Sequence, residues 1–436
     1  MIRKILLTLG VLVLGAVGVT GWFYAKGAAL PGQGLPPVPD QLIAAGDSAK
    51  LAEFTEARCR LLMGKKKQSC IEDVLLTLVR QDRVRLAMAT LALLGERSDA
   101  IRHIGHDYSH VIGINAWEPG KDVGKSYMQC TELFQSGCYH GVIQSFFAYK
   151  GTDSASVVSV CRDTPEISAS AYLRFQCVHG IGHGLVQTYS MKLPRALAGC
   201  DMLGNSWDSE SCYGGAFMEF IVGGRGQSHH VTVKTDSGAA EEMDHSKMDH
   251  GAMAQDTFPS FKVREPSDLH YPCSVLGKQY QHSCYQMQAG LIVERTGLDF
   301  AKVAKVCDTA PEKMRSVCYQ GMGTYISGVT TRDPVKSLQH CSLGASRYQP
   351  WCFVGAVKNF IDVTATAEDG LEFCGMVAAE DAATSCYNAI GEEAAFLYQS
   401  MDRRAVVCAK ALPKYVEACR FGAGLSPIRP AALPRA

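Results

Sequence analysis

"CYQGMGTYISGVTTRDPVKSLQHC", residues 318 to 341, opens and closes on cysteine. Its first half reads as a helix carrying small residues, Gly321 and Gly323, at the third and fifth positions after the cysteine. Small residues there let a helix pack closely against its neighbours. "DPVKSLQHC" reads as a second, amphipathic helix with Asp333 at its start. Working outward, the opening phrase recurs as "CYHGV" at 138, "CVHGI" at 177, "CYGGA" at 212, "CFVGA" at 352, "CYNAI" at 386 and "CRFGA" at 419. Cysteines at 273, 307, 341, 374 and 408 follow one another at steps of 33 or 34 residues. That is the period of a two-helix repeat array.

All eighteen cysteines fall into successive pairs. In chain order these are Cys59 with Cys70, Cys130 with Cys138, Cys161 with Cys177, and Cys200 with Cys212. After the insertion come Cys273 with Cys284, Cys307 with Cys318, Cys341 with Cys352, Cys374 with Cys386, and Cys408 with Cys419. Sequential pairing is the simplest connectivity, because each loop then closes in the same way, although eighteen cysteines permit very many others. Each such bridge would contribute on the order of 3 kcal/mol in the chain-entropy model. That offsets helical glycines, which cost roughly 1 kcal/mol each.

The stretch 318 to 341 resembles the Sel1-like branch of the tetratricopeptide-type α/α repeats, in their cysteine-rich form. Gly321, Tyr325, Gly328, Asp333, Leu338 and Cys341 carry the likeness. It spans roughly 55 to 424 and is clearest after 273. The cysteine spacing of 11 or 12, and Cys-Tyr-x-Gly in place of Leu-Gly, depart from the pattern. The resemblance implies an all-α, right-handed two-helix solenoid with a curved binding surface, and no particular reaction.

The chain has 436 residues, 47% apolar composition, and 43 basic against 43 acidic side chains. Without a clustered basic excess, nucleic acid is not an expected partner. "GKKKQ" at 64 to 68 is read as a solvated loop. Residues 1–26 are read as a signal anchor: Arg3 and Lys4, then an apolar run from Ile5 to Ala25 ending in Trp22, Phe23 and Tyr24. A Pro/Gly linker (27–40) leads to N-terminal helical repeats (41–222), a polar insertion (223–270), C-terminal repeats (271–424) and a tail (425–436). No CxxC or CxxCH motif occurs, so disulfides in an exported chain are the default for the thiols. The expected location is membrane-anchored, with the bulk of the chain in the periplasm or outside the cell. Another exported protein is an expected partner on the repeat surface.

Six of the thirteen histidines cluster in the early units. "CVHGIGHGLV" (177–186) places His179 and His183 on one helical face, and "GHDYSHVIG" aligns with it so that His106 matches His179 and His110 matches His183. His140 holds the position of His179 in the unit between, where Gln144 replaces the second histidine. His103 adds an imidazole one turn before His106. Later units carry Gln320 and Thr324, Val354 and Lys358, or Asn388 and Glu392 at these positions, so the imidazoles belong to one place. Histidine pairs four residues apart can chelate a transition metal. In a flat array the first and third helices would stand nearly 20 Å apart, so one shared centre requires tight curvature or two sites sharing His140. The competing reading is histidines bonded to neighbouring backbone, with glycine serving close packing alone. Glu219, beside the row, would be a ligand or base, or simply face water.

The insertion repeats methionine, aspartate and histidine at a five-residue step: Met243, His245, Met248, His250 and Met253. Thioether with imidazole suits copper, and the segment resembles the Met/His-rich stretches of exported copper-handling proteins. Iron or zinc are the other metals considered, and haem lacks an attachment motif. No nucleophile elbow, Walker loop or HExxH is present. The sequence therefore points to a copper-binding protein. A copper- or iron-dependent oxidoreductase on the same histidines and a metal-free interaction scaffold are the alternatives.

Overall fold

The computed structural model describes residues 34–223, 232–234, 240–242, 261–262 and 264–434. Apart from one antiparallel pair, Thr232–Lys234 with Ala240–Glu242, the described elements are helical. The anchor read in 1–26 and the Met/His repeat at 243–253 lie outside the described residues. Among the described residues no helix is long and apolar enough to cross a membrane.

The expected cysteine pairing is found throughout, and no cysteine is free. Cys59 is bonded to Cys70, Cys130 to Cys138, Cys161 to Cys177, and Cys200 to Cys212. Cys273 is bonded to Cys284, Cys307 to Cys318, Cys341 to Cys352, Cys374 to Cys386, and Cys408 to Cys419. Each of the last four ties the end of one unit's second helix to the first helix of the next. We label the first-type helices α1 Gly105–Ala116, α2 Gly137–Lys150, α3 Ala171–Thr188, α4 Ser206–Gly223, α5 Lys278–Arg295, α6 Glu312–Val329, α7 Gln349–Thr364, α8 Glu380–Leu397 and α9 Val416–Gly422. Each packs on the next in chain order. The shorter second helices start where the sequence supplies a cap: Asp153, Asp299, Asp333 and Ser400 each accept a backbone N–H from the first turn. Such caps satisfy donors that would otherwise have no partner.

The glycines after each cysteine have a definite task. A Cβ on Gly141 would stand 2.3 Å from the His110 carbonyl oxygen, and one on Gly113 2.0 Å from that of Cys138. The same reciprocal contact joins α3 to α4, where Gly182 meets the Cys212 oxygen at 2.1 Å and Gly215 meets that of His179 at 1.9 Å. Only a residue without a side chain permits such an approach.

The array also curls back on itself. The Phe134 and Gln135 amides, just before α2, donate to the Val363 and Asp362 carbonyls at the end of α7, each at 3.1 Å. Phe396 of α8 packs on Tyr172 and Phe175 of α3, with ring centroids 5.1 Å apart in both cases. In each contact the partner is five first-type helices further along. Phe134, Gln135 and Ser136 all have left-handed backbones, with φ of 54°, 54° and 62°.

One local expectation is corrected. The basic run at 64–68 is the first turn of the helix Gly64–Arg80, not a loop, although Lys65 and Lys66 are exposed as anticipated. The end of the insertion is tied to α5 by hydrogen bonds. Arg295 of α5 donates to the Asp268 and Pro266 carbonyls, and Gln288 to those of Leu269 and Tyr271.

Candidate metal centre

Five of the six histidines singled out in the early units meet in one pocket. Ring centroids lie 4.6 Å apart for His106 and His110, 5.3 Å for His110 and His140, 5.0 Å for His110 and His183, and 4.8 Å for His140 and His179. The close glycine contacts and the curvature of α1, α2 and α3 remove the separation expected of a flat array. Two triads result: His106, His110 and His140 form one, and His140, His179 and His183 the other. Each offers one nitrogen per ring within 4.8 Å of the others. His110 and His183 are 0% and 1% exposed, while His106 is partly open to solvent.

His103 does not join them. The helix breaks at Ile104 (φ −105°, ψ 15°), so His103 ends the preceding short helix, Asp99–His103, and is exposed. The sequence shows one continuous pattern there, and only the break separates His103 from His106. Met243, His245, Met248, His250 and Met253 lie outside the described residues.

Proton positions follow from the partners. His106 Nδ1 donates to the Phe134 carbonyl at 2.8 Å, because a carbonyl can only accept. Gln144 Nε2 donates to the Glu219 carboxylate at 3.2 Å, which turns the amide oxygen toward His110 Nδ1 at 2.9 Å, so that nitrogen also donates. His183 Nδ1 donates to Glu219 Oε2 at 2.8 Å, and His140 Nε2 to Gln176 Oε1 at 2.9 Å. In neutral imidazole the other nitrogen then carries a lone pair. Lone pairs thus lie on Nε2 of His106, His110 and His183 and on Nδ1 of His140. The Nδ1 atoms of His140 and His179 have no hydrogen-bond partner among the described residues.

Nε2 of His106 and Nε2 of His110 are 3.1 Å apart. Two facing lone pairs repel unless a proton or cation lies between them. Nitrogens bound tetrahedrally at about 2.0–2.1 Å stand roughly 3.3 Å from one another, so the spacing suits a transition ion. Burial holds His140 and His179 well below the ordinary histidine range, and the neighbouring imidazoles push them further down. Neutral imidazole is the form that binds metal.

Sequence reasoning undervalued Glu219. It faces no water at all: it is 0% exposed and accepts from His183, Gln144 and Gln187, the last at 3.0 Å. A carboxylate behind a histidine fixes its tautomer and raises its donor strength. Gln144 and Gln176 do the same for His110 and His140. Gln144 was legible as the replacement at a histidine position, but nothing in the local pattern marks Gln176.

Along α7 and α8 the chemistry near the equivalent places is ionic. Lys358 Nζ pairs with Glu392 at 2.9 Å and Glu393 at 3.1 Å. Burial opposes the charge on Lys358, and the two carboxylates outweigh it and raise the pKa. The shared position therefore holds imidazoles only at the N-terminal end.

No family model matches the chain, and no curated protein or solved structure shows significant similarity to it. The candidate site therefore stands on its own geometry, and the helical, disulfide-bonded architecture is shown without assignment to a family.

Proposed function

We propose that this is an exported, membrane-anchored transition-metal-binding protein whose ion sits among His106, His110, His140, His179 and His183. The carrying observation is the convergence of five imidazoles into two triads whose nitrogens lie within 4.8 Å of one another, with one nitrogen on each of four rings held by Phe134, Gln144, Gln176 or Glu219. Nine disulfides agree with an oxidising compartment. In this reading the chain is a Sel1-like solenoid, the segment 1–26 tethers it, and Met243, His245, Met248, His250 and Met253 collect or deliver the ion. Copper is the first candidate because of those thioethers, with iron or zinc as alternatives. The outer surface of the array is the place for an exported protein partner.

The partial exposure of His106 favours a second reading, a copper- or iron-dependent oxidoreductase in which an ion on the same histidines keeps an open position toward solvent. Metal analysis and optical spectra of protein purified from its native membrane fraction test both. Bound metal should disappear on changing His179 and His183 to alanine. Clean protein without copper, iron or zinc, fully folded in chelator, would leave a metal-free scaffold. Copper lost only on deleting 228–254 would confine the metal to the insertion.

A further inference from the structure

The two triads have one ring in common, and that ring has one nitrogen to give. His140 Nε2 is held by Gln176 at 2.9 Å, and only Nδ1, buried and without a partner among the described residues, faces the other histidines. An imidazole joins two metal ions only by using both nitrogens. His140 can therefore complete the triad of His106 and His110 or that of His179 and His183, but not both at once. The triads also differ in access. The difference lies in one ring: His106 is partly exposed, whereas His110, His140, His179 and His183 are 0%, 2%, 5% and 1% exposed. The first triad is an outer station and the second an inner one.

We propose that the five histidines hold a single ion with two resting places, and that His140 is its ligand in both. The ion enters at His106 and His110, then passes inward to His179 and His183 without leaving His140. The distances allow a short transfer: the His110 and His183 ring centroids are 5.0 Å apart, and those of His140 and His183 are 5.2 Å apart. At least one nitrogen stays bound throughout, so the ion is never released into a dry pocket, where an unpaired charge is very costly. No bond but metal–nitrogen coordination changes, and no electron moves. Because His106 is needed to admit the ion more than to retain it, uptake and retention should depend on different residues. This inference rests on the metal-binding reading above.

The test uses the full chain loaded with Co(II), whose visible spectrum reports ligand number, and with Zn(II) for stoichiometry and chelator-driven release. Wild type should bind one ion per chain. His106→Ala should slow uptake at least tenfold while changing equilibrium affinity by a smaller factor. His179→Ala with His183→Ala should still bind one ion in vitro but release it to chelator at least tenfold faster, fast enough to be lost during purification from the native membrane. His140→Ala should impair both uptake and retention. Near-ultraviolet circular dichroism of each metal-free variant identifies any that has lost its fold, and His106→Gln and His183→Gln then replace the alanine changes. Two ions per wild-type chain would overturn the shared-ligand proposal while leaving the metal centre intact. Uptake by the His106 variant at the wild-type rate would overturn the entry route and with it the two-station scheme. No ion at all would remove the metal-binding reading itself.

Discussion

The Glu219 carboxylate accepts the Nδ1 proton of His183 at 2.8 Å, and both groups are almost wholly shielded from water. Gln144 and Gln187 donate to the same carboxylate. This one side chain orients His183 directly and His110 through Gln144. Glu219→Gln keeps the volume but removes the charge and one acceptor. Metal affinity should fall by roughly 10- to 100-fold, measured by chelator competition, with α-helical content unchanged.

The cysteine phrase glycines should not tolerate even a methyl group. Gly215→Ala would set a Cβ 1.9 Å from the His179 carbonyl oxygen, and Gly141→Ala 2.3 Å from that of His110. Each should destabilise the protein by about 2–3 kcal/mol in denaturant titrations, since backbone cannot move aside as a flexible side chain can. Gly328, inside α6 with nothing within 4 Å, is the control. Its change to alanine should be neutral or stabilise by about 0.5–1 kcal/mol.

Stability should depend on pH through the buried imidazoles. His140 and His179 have pKa values lowered in the folded protein from 6.5, chiefly by burial. In the unfolded chain they take up protons near pH 6.5, so below that pH the unfolded state binds more protons than the native one. The stability they confer is complete above about pH 6.5 and is lost as pH falls toward the depressed folded values. Metal-free protein should therefore melt at lower temperature at about pH 5 than at about pH 7. His140→Gln should flatten part of that slope.

Cys161 and Cys177 are joined across 16 residues, and Cys177 lies in α3 two residues before His179. Changing both to serine should cost about 3 kcal/mol in chemical denaturation. The same variant should bind metal more weakly, because α3 is no longer tied to the helix Ser154–Arg162.

Phe396 lies against Tyr172 and Phe175, and Phe175 in turn stacks on His179 at 5.7 Å. Phe396→Ala should destabilise by about 2 kcal/mol for this half-buried ring. It should also quicken metal release, although residue 396 is more than 200 positions from His179. Unchanged release kinetics would separate closure of the array from the histidine pocket.

The helix pairs, the cysteine pairing and five of the six histidine positions are legible in the sequence, because a repeat places equal positions on equal faces. Reading His106 and His110 into the row needed only alignment to His179 and His183. What the repeat hides is any departure from it. The break at Ile104 that excludes His103 has no local signature, since "IRHIGHDYSH" keeps helical periodicity throughout. The curvature that unites the first and third helices depends on glycine contacts between helices, so it could be stated only as a requirement. Glu219 and Gln176 owe their roles to neighbours 36 residues away, a relation that a single helix does not display.

The loop before α2 bears on the order of biosynthesis. His106 owes its proton placement to the Phe134 carbonyl, and residues 134–136 occupy a backbone region that costs on the order of 1–3 kcal/mol per residue. The amides of Phe134 and Gln135 are secured by carbonyls at 362 and 363, which leave the ribosome some 180 residues after His183. A nascent chain that has just displayed all five imidazoles still lacks the clasp that aligns the outermost one. On the metal-binding reading proposed above, full competence to capture an ion would thus arrive only once most of the polypeptide has been made, and premature loading with whatever cation is nearby would be disfavoured.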